Sequence, residues 1–195
     1  MKIGLFFGSF NPIHVGHLII ANYISQNTEL EQVWFVISPQ NPLKAQKSLL
    51  NKFARKHLID ISIDGEKKLR SSTIEFSLPL PSYTIDTLIY LKERHPEDEF
   101  AIIIGSDSLQ NLSKWKNHEL LIKDYPIYVY QRPGFVPENK YDKNVILLNA
   151  PLLDISSTKI RNMIKNGESI KFLVPDVVKE EIESNHYYKD LKDIT

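Results

Sequence analysis

The chain has no cysteine, which excludes a disulfide scaffold. It has no excess of either charge, since 24 Lys+Arg stand against 24 Asp+Glu. General electrostatic binding to nucleic acid or to an anionic membrane therefore lacks the surplus cations that displace condensed counterions, although a local basic site is left open. No long apolar run is present. Residues 3–7 are too short for a signal-peptide core, and nothing approaches the roughly 20 apolar residues of a transmembrane helix. A cytoplasmic protein is expected. No internal repeat, low-complexity tract or linker rich in Gly, Ser or Pro divides the chain. What is there is 195 residues, 42% hydrophobic and 25% charged, the composition of a globular protein with a buried core. One domain is expected, with a small helical part over about 156–195.

The apolar pattern alternates between strand and helix periods. Strands are predicted over 2–7, 32–37, 100–104, 127–130 and 145–148; helices over 15–24, 49–61, 84–94, 107–121, 157–166 and 175–184. The strands read as continuous β-branched and aromatic runs, which suits a parallel sheet covered on both faces. Strands alternating with helices imply right-handed crossovers and a doubly wound, Rossmann-like α/β fold. Such sheets bind ligands beyond the carboxyl ends of their strands, where strand order reverses. The loops to search are then 8–14, 38–44, 105–107, 131–133 and 149–157.

The first of these reads Gly8-Ser9-Phe10-Asn11-Pro12-Ile13-His14-Val15-Gly16-His17. A small residue at position 8 lets backbone approach a phosphate, Pro12 stiffens the turn, and helix-start N–H groups carry partial positive charge. His14 and His17, three apart, can donate to phosphate oxygens and stabilise charge that develops in phosphoryl transfer. Seven specified positions would match by chance on the order of once in a billion starts at about 5% residue usage, which makes coincidence a poor account. Zinc is a weaker reading of the pair, because no third ligand stands at a familiar spacing. A second segment, Ile155-Ser156-Ser157-Thr158-Lys159-Ile160-Arg161, places hydroxyls at a helix start and a guanidinium one turn inside it, suited to a polyphosphate; an ordinary N-cap beside solvated cations is the alternative.

These two segments resemble the nucleotidyltransferase superfamily, whose signature is a Gly-Ser/Thr-Phe-Asp-Pro loop followed by His-x-Gly-His, with a later Ile-Ser-Ser-Thr-x-Ile-Arg motif that holds the β- and γ-phosphates of ATP. Two departures are visible: Phe7 replaces a first glycine common among nicotinate-nucleotide members, and Asn11 replaces the usual aspartate. Ser38-Pro39-Gln40-Asn41-Pro42-Leu43-Lys44, Pro81-Ser82-Tyr83-Thr84-Ile85-Asp86-Thr87-Leu88, Gly105-Ser106-Asp107-Ser108-Leu109, Trp115 and Arg132-Pro133 are similar to segments of the nicotinate mononucleotide adenylyltransferases. The resemblance spans residues 2–178; residues 65–80 and the tail after Ser184 carry no signature.

The resemblance implies adenylyl transfer from ATP to nicotinate mononucleotide, with nicotinate adenine dinucleotide and pyrophosphate as products, in NAD biosynthesis. It implies His14, His17, Lys44 and Arg161 as catalytic residues. Gly8, Ser9, Phe10, His17, Gly105, Asp107, Arg132, Ile155, Ser156, Ser157, Thr158 and Arg161 are expected to bind ATP. Ser9, Lys44, Tyr83, Thr84, Asp86, Trp115 and Lys116 are expected to bind the mononucleotide, with Trp115 stacked on its pyridine ring and main chain at Thr84 and after Trp115 receiving its carboxylate. Mg²⁺ is expected with ATP, held by phosphates and water rather than by protein ligands. No protein nucleophile or general base is needed, because the attacking phosphate is already ionised at neutral pH. Nicotinamide mononucleotide and phosphopantetheine stay open as acceptors, and a non-catalytic nucleotide sensor is a lesser alternative. A homo-oligomer is left open.

Overall fold

In the computed structural model, residues 1–39, 49–136 and 143–189 are described. Six strands form one parallel sheet: β1 (Lys2–Gly8), β2 (Gln32–Ile37), β3 (Leu69–Ser72), β4 (Glu99–Gly105), β5 (Ile127–Tyr130) and β6 (Val145–Leu148), in the order β3-β2-β1-β4-β5-β6. The chain winds outward from β1 in one direction, returns, and winds outward from β4 in the other. The reversal lies between β1 and β4, paired from Lys2↔Glu99 to Phe6↔Ile103, so the loops leaving Gly8 and Gly105 flank the crevice where such sheets bind ligands.

The two-residue period of each strand divides the core. Phe6, Val33, Phe35, Ala101 and Ile103 face one layer, which contains α1 (Val15–Asn27), α2 (Lys52–Ser62), α6 (Ser157–Lys165) and α7 (Asp176–Ser184). Ile3, Leu5, Val36, Phe100, Ile102 and Ile104 face the other, which contains α3 (Thr84–Arg94), α4 (Ser106–Gln110) and α5 (His118–Asp124). Gly167, at φ 72°, follows α6 as its cap, as expected of a glycine in the left-handed region.

One expectation fails and one element was missed. The helix predicted over 107–121 is broken into α4, a 3-10 turn at Leu112–Lys114, and α5. Trp115 is extended (ψ 145°) and Asn117 left-handed (φ 52°), a conformation Asn tolerates; the apolar spacing continues across a backbone that does not. The short strand β3, unrecognised in the sequence, buries only Leu69 and exists because it pairs with the edge of β2. Among the described residues no helix is long and apolar enough to cross a membrane.

Candidate active site

The chain leaves β1 at Gly8 and enters α1 at Val15. A Cβ at Gly8 would lie 2.8 Å from Cζ of Phe10. The ring of Phe10, folded back over position 8, leaves no room for a side chain there. Phe10 is buried, edge-on to Phe6, Phe35 and His17, at φ 44°. Its ring holds the loop in a conformation costly for a bulky residue, which leaves contact with a nucleotide to its main-chain N–H and C=O groups.

The two imidazoles stack, with centroids 3.6 Å apart and planes 21° from parallel. The main-chain N–H of His14 donates to Nδ1 of His17 at 3.3 Å. In neutral His17 this bond leaves the ring proton on Nε2. His14 is buried and its Nδ1 has no hydrogen-bond partner. Burial, reinforced by the Arg132 charge, pushes its pKa down to about 4, so it is neutral at pH 7. The glycine between the two histidines has a steric reason: a Cβ on Gly16 would lie 3.0 Å from His14 Nδ1. Phe6, His14, Gly16, His17, Tyr130, Arg132 and Ile155 line one narrow cleft.

The Ser-Ser-Thr helix closes onto this loop directly. Ser157 Oγ donates to the Pro12 carbonyl at 2.8 Å, and Arg161 Nη1 donates to the Asn11 carbonyl at 2.8 Å. Ser156 caps α6 by accepting from the Lys159 N–H at 3.2 Å. The Ser157 hydroxyl, expected on phosphate, is committed to main chain in this state. Arg161 also reaches Thr158 Oγ1 at 3.4 Å, while its buried Nε has no partner. Asn11 Oδ1 accepts from the Leu50 N–H at 3.1 Å. The amide therefore performs a turn-holding task that needs an acceptor oxygen rather than a negative charge. Phe7, at the other departure, packs its side chain into the second core layer.

On the far side of the crevice, a Cβ at Gly105 would lie 2.7 Å from Arg132 Cδ. Asp107 Oδ1 stands 3.9 Å from Arg132 Nε. Buried Ser106 accepts from the Arg132 N–H at 2.9 Å and donates to the Phe135 carbonyl at 2.7 Å, fixing the turn that carries the guanidinium. Beyond it, Tyr83, Thr84 and Asp86 open α3, and Lys116 meets both Asp86 oxygens at 2.9 Å with Nζ 5.0 Å from the Tyr83 ring centre. Half-buried Trp115 packs on the core layer beneath them. The structure brings Tyr83, Asp86 and Lys116 into contact, with Trp115 on the same core layer as Tyr83. Ser9 lies on the β1 loop; Lys44 lies outside the described residues. Among the described residues no cluster of three or more His, Asp or Glu could hold a metal ion.

Residues 5–163 match the cytidylyltransferase-like family. A relative from Cytophaga hutchinsonii, named probable nicotinate-nucleotide adenylyltransferase, is 52% identical over 97% of this chain and 100% of its own length. One of the same name from Flavobacterium johnsoniae is 46% identical, over 97% of this chain and 100% of its own. The chain belongs to the nicotinate-nucleotide adenylyltransferase family. The fold is shared with the Plasmodium falciparum nicotinic acid mononucleotide adenylyltransferase complexed with NaAD, at 24% identity and TM-score 0.83, covering 98% of both chains.

Three residues of this nucleotidyltransferase escaped the sequence reading. Arg55 on α2 is 1% exposed and its guanidinium donates to the carbonyls of Ser9 (2.6 Å), Ser38 (2.9 Å), Leu50 (2.9 Å) and Pro39 (3.4 Å), tying the loops after β1 and β2 together. Its signal was an arginine in the apolar stripe with Leu58 and Ile59. Tyr188, from the tail without a signature, is buried near Arg55 and Arg161, and its hydroxyl has no partner. Glu75, the third, is 2% exposed and accepts from Ser82 and Thr87.

Proposed function

We propose that this chain transfers the adenylyl group of ATP to nicotinate mononucleotide, as one nucleotidyltransferase unit serving NAD biosynthesis. The observation that carries the reading is the junction of the two phosphate motifs, made by Ser157 on Pro12 and Arg161 on Asn11, beside an unpartnered imidazole nitrogen at the switch point of the sheet.

In this reading a phosphate oxygen of the mononucleotide attacks the α-phosphorus in line, the bond from that phosphorus to the bridging oxygen breaks, and pyrophosphate leaves with the electron pair. Orientation of the two substrates supplies roughly 7 to 11 kcal/mol of the catalysis. His17, its proton on Nε2, donates to an α-phosphate oxygen, and neutral His14 donates beside it. Arg161, Lys159, Lys44 and the start of α6 neutralise the departing pyrophosphate. Gly105, Asp107 and Arg132 face the adenosine, while Ile155, Ser156 and Thr158 border the phosphate tail. Ser9, Tyr83, Thr84, Asp86, Trp115 and Lys116 receive the acceptor. Mg²⁺ enters as part of the ATP substrate, bound by phosphate oxygens and water.

ATP radiolabelled at the α-phosphorus tests this reading. The label is expected in a dinucleotide, with one unlabelled pyrophosphate released per dinucleotide. Label retained on the protein, or pyrophosphate released without dinucleotide, would overturn it.

A further inference from the structure

Glu75 stands in a 3-10 turn at Ile74–Ser77, on a segment with no recognisable motif, yet its carboxylate is among the most deeply buried polar groups of the chain. Oε2 accepts from the Ser82 hydroxyl at 2.8 Å and Oε1 from the Thr87 hydroxyl at 3.0 Å. Both donors are themselves buried. Among the described residues no ion pair reaches it. Taking a carboxylate out of water costs several kcal/mol, so a fold that merely needed packing here would be served better by an apolar side chain.

The placement of the two hydroxyls gives the carboxylate a task. Ser82 lies just before α3 and Thr87 one turn inside it, and between them Tyr83, the N-cap residue, makes no side-chain capping bond. A side-chain cap would hold a helix start by occupying its free N–H groups. Glu75 instead grips the start of α3 from behind, through hydroxyls, and leaves the N–H groups of the first turn for something else.

We infer that Glu75 is a positioning residue for the acceptor: through Ser82 and Thr87 it fixes the start of α3 so that main-chain N–H groups there meet the carboxylate of a pyridine mononucleotide. This inference rests on the reading of Tyr83, Thr84 and Trp115 as the acceptor segment. A role in orientation, as opposed to charge, makes Glu75→Gln tolerable. The introduced amide donates to Thr87 Oγ1, whose own proton turns to the Tyr83 carbonyl, 3.3 Å away.

The test compares wild type, Glu75→Gln, Glu75→Ala and Thr87→Val in steady-state pyrophosphate release, varying ATP and nicotinate mononucleotide separately, with thermal unfolding alongside. In Glu75→Ala the KM for the mononucleotide rises about tenfold or more while the KM for ATP stays within about twofold, and the preference over nicotinamide mononucleotide shrinks. Thr87→Val shows the same split in smaller measure and decides the matter if Glu75→Ala does not fold; Glu75→Gln stays near wild type. Equal changes in both KM values, or none in either, in folded variants overturn the inference, as does a Glu75→Gln enzyme as impaired as Glu75→Ala. A wild type inactive with nicotinate mononucleotide removes the acceptor reading and the inference with it, whereas an active wild type with unsplit variants removes the role of Glu75 alone.

Discussion

Arg161 donates from α6 to the main-chain carbonyl of Asn11 at 2.8 Å, across 150 residues of chain. One guanidinium thereby spans the two segments proposed to hold phosphate. Arg161→Lys keeps the charge and loses the fork that reaches both Asn11 and Thr158. The expected result is a fall in kcat/KM for ATP of about tenfold to a hundredfold, equivalent to about 1.4 to 2.7 kcal/mol, with the fold retained by circular dichroism.

His17→Ala removes the donor whose tautomer the His14 N–H fixes. Turnover should drop by at least about a hundredfold, the usual scale for one donor on a developing phosphoryl charge, without loss of the folded state. Near-normal rates in that variant would remove His17 from the chemistry.

The buried His14 gives stability a pH dependence of definite sign. Its folded pKa of about 4 lies below the ordinary value of 6.5, so the unfolded chain binds the extra proton first. The contribution is complete above pH 6.5 and is lost as pH falls towards 4. At 1.36 kcal/mol per unit it amounts to about 3 kcal/mol. Urea unfolding from pH 7 to 4 should show this loss, and His14→Asn should flatten that part of the profile.

Arg55→Met should be the most damaging of these substitutions to stability. Several carbonyls lose a buried cationic donor at once, each at a cost of about 1 to 3 kcal/mol where it is left unsatisfied. Chemical denaturation reads it directly, and the loops after β1 and β2 should gain hydrogen exchange.

Trp115→Ala should raise the KM for the mononucleotide while leaving the KM for ATP nearly unchanged. An effect confined to ATP would contradict the stacking role.

Particular residues show why parts of this protein were legible in its letters. The run Gln32–Ile37 is a buried strand and Thr84–Arg94 a helix at the bounds expected, because each combines an unbroken apolar period with a clear stop. The His-x-Gly-His loop was legible as a motif because its stacked rings and the glycine that makes room for them fall within four positions. What the letters did not carry was long-range or tertiary: Gly8 makes room for the ring of Phe10, folded back over it. Arg55 and Glu75 act through partners 5 to 46 and 7 to 12 residues away, and Tyr188 fills space beside two arginines that no local pattern brings together. The break at Trp115 and Asn117 was hidden because hydrophobic spacing does not record a left-handed residue.

The most direct test of the central claim is pyrophosphate release from Mg²⁺–ATP with nicotinate mononucleotide, nicotinamide mononucleotide and phosphopantetheine offered in parallel. The account predicts release that strongly favours nicotinate mononucleotide, lost in His17→Ala. Release favouring either other acceptor would contradict the assignment of the acceptor end, and release with none of them would contradict adenylyl transfer itself.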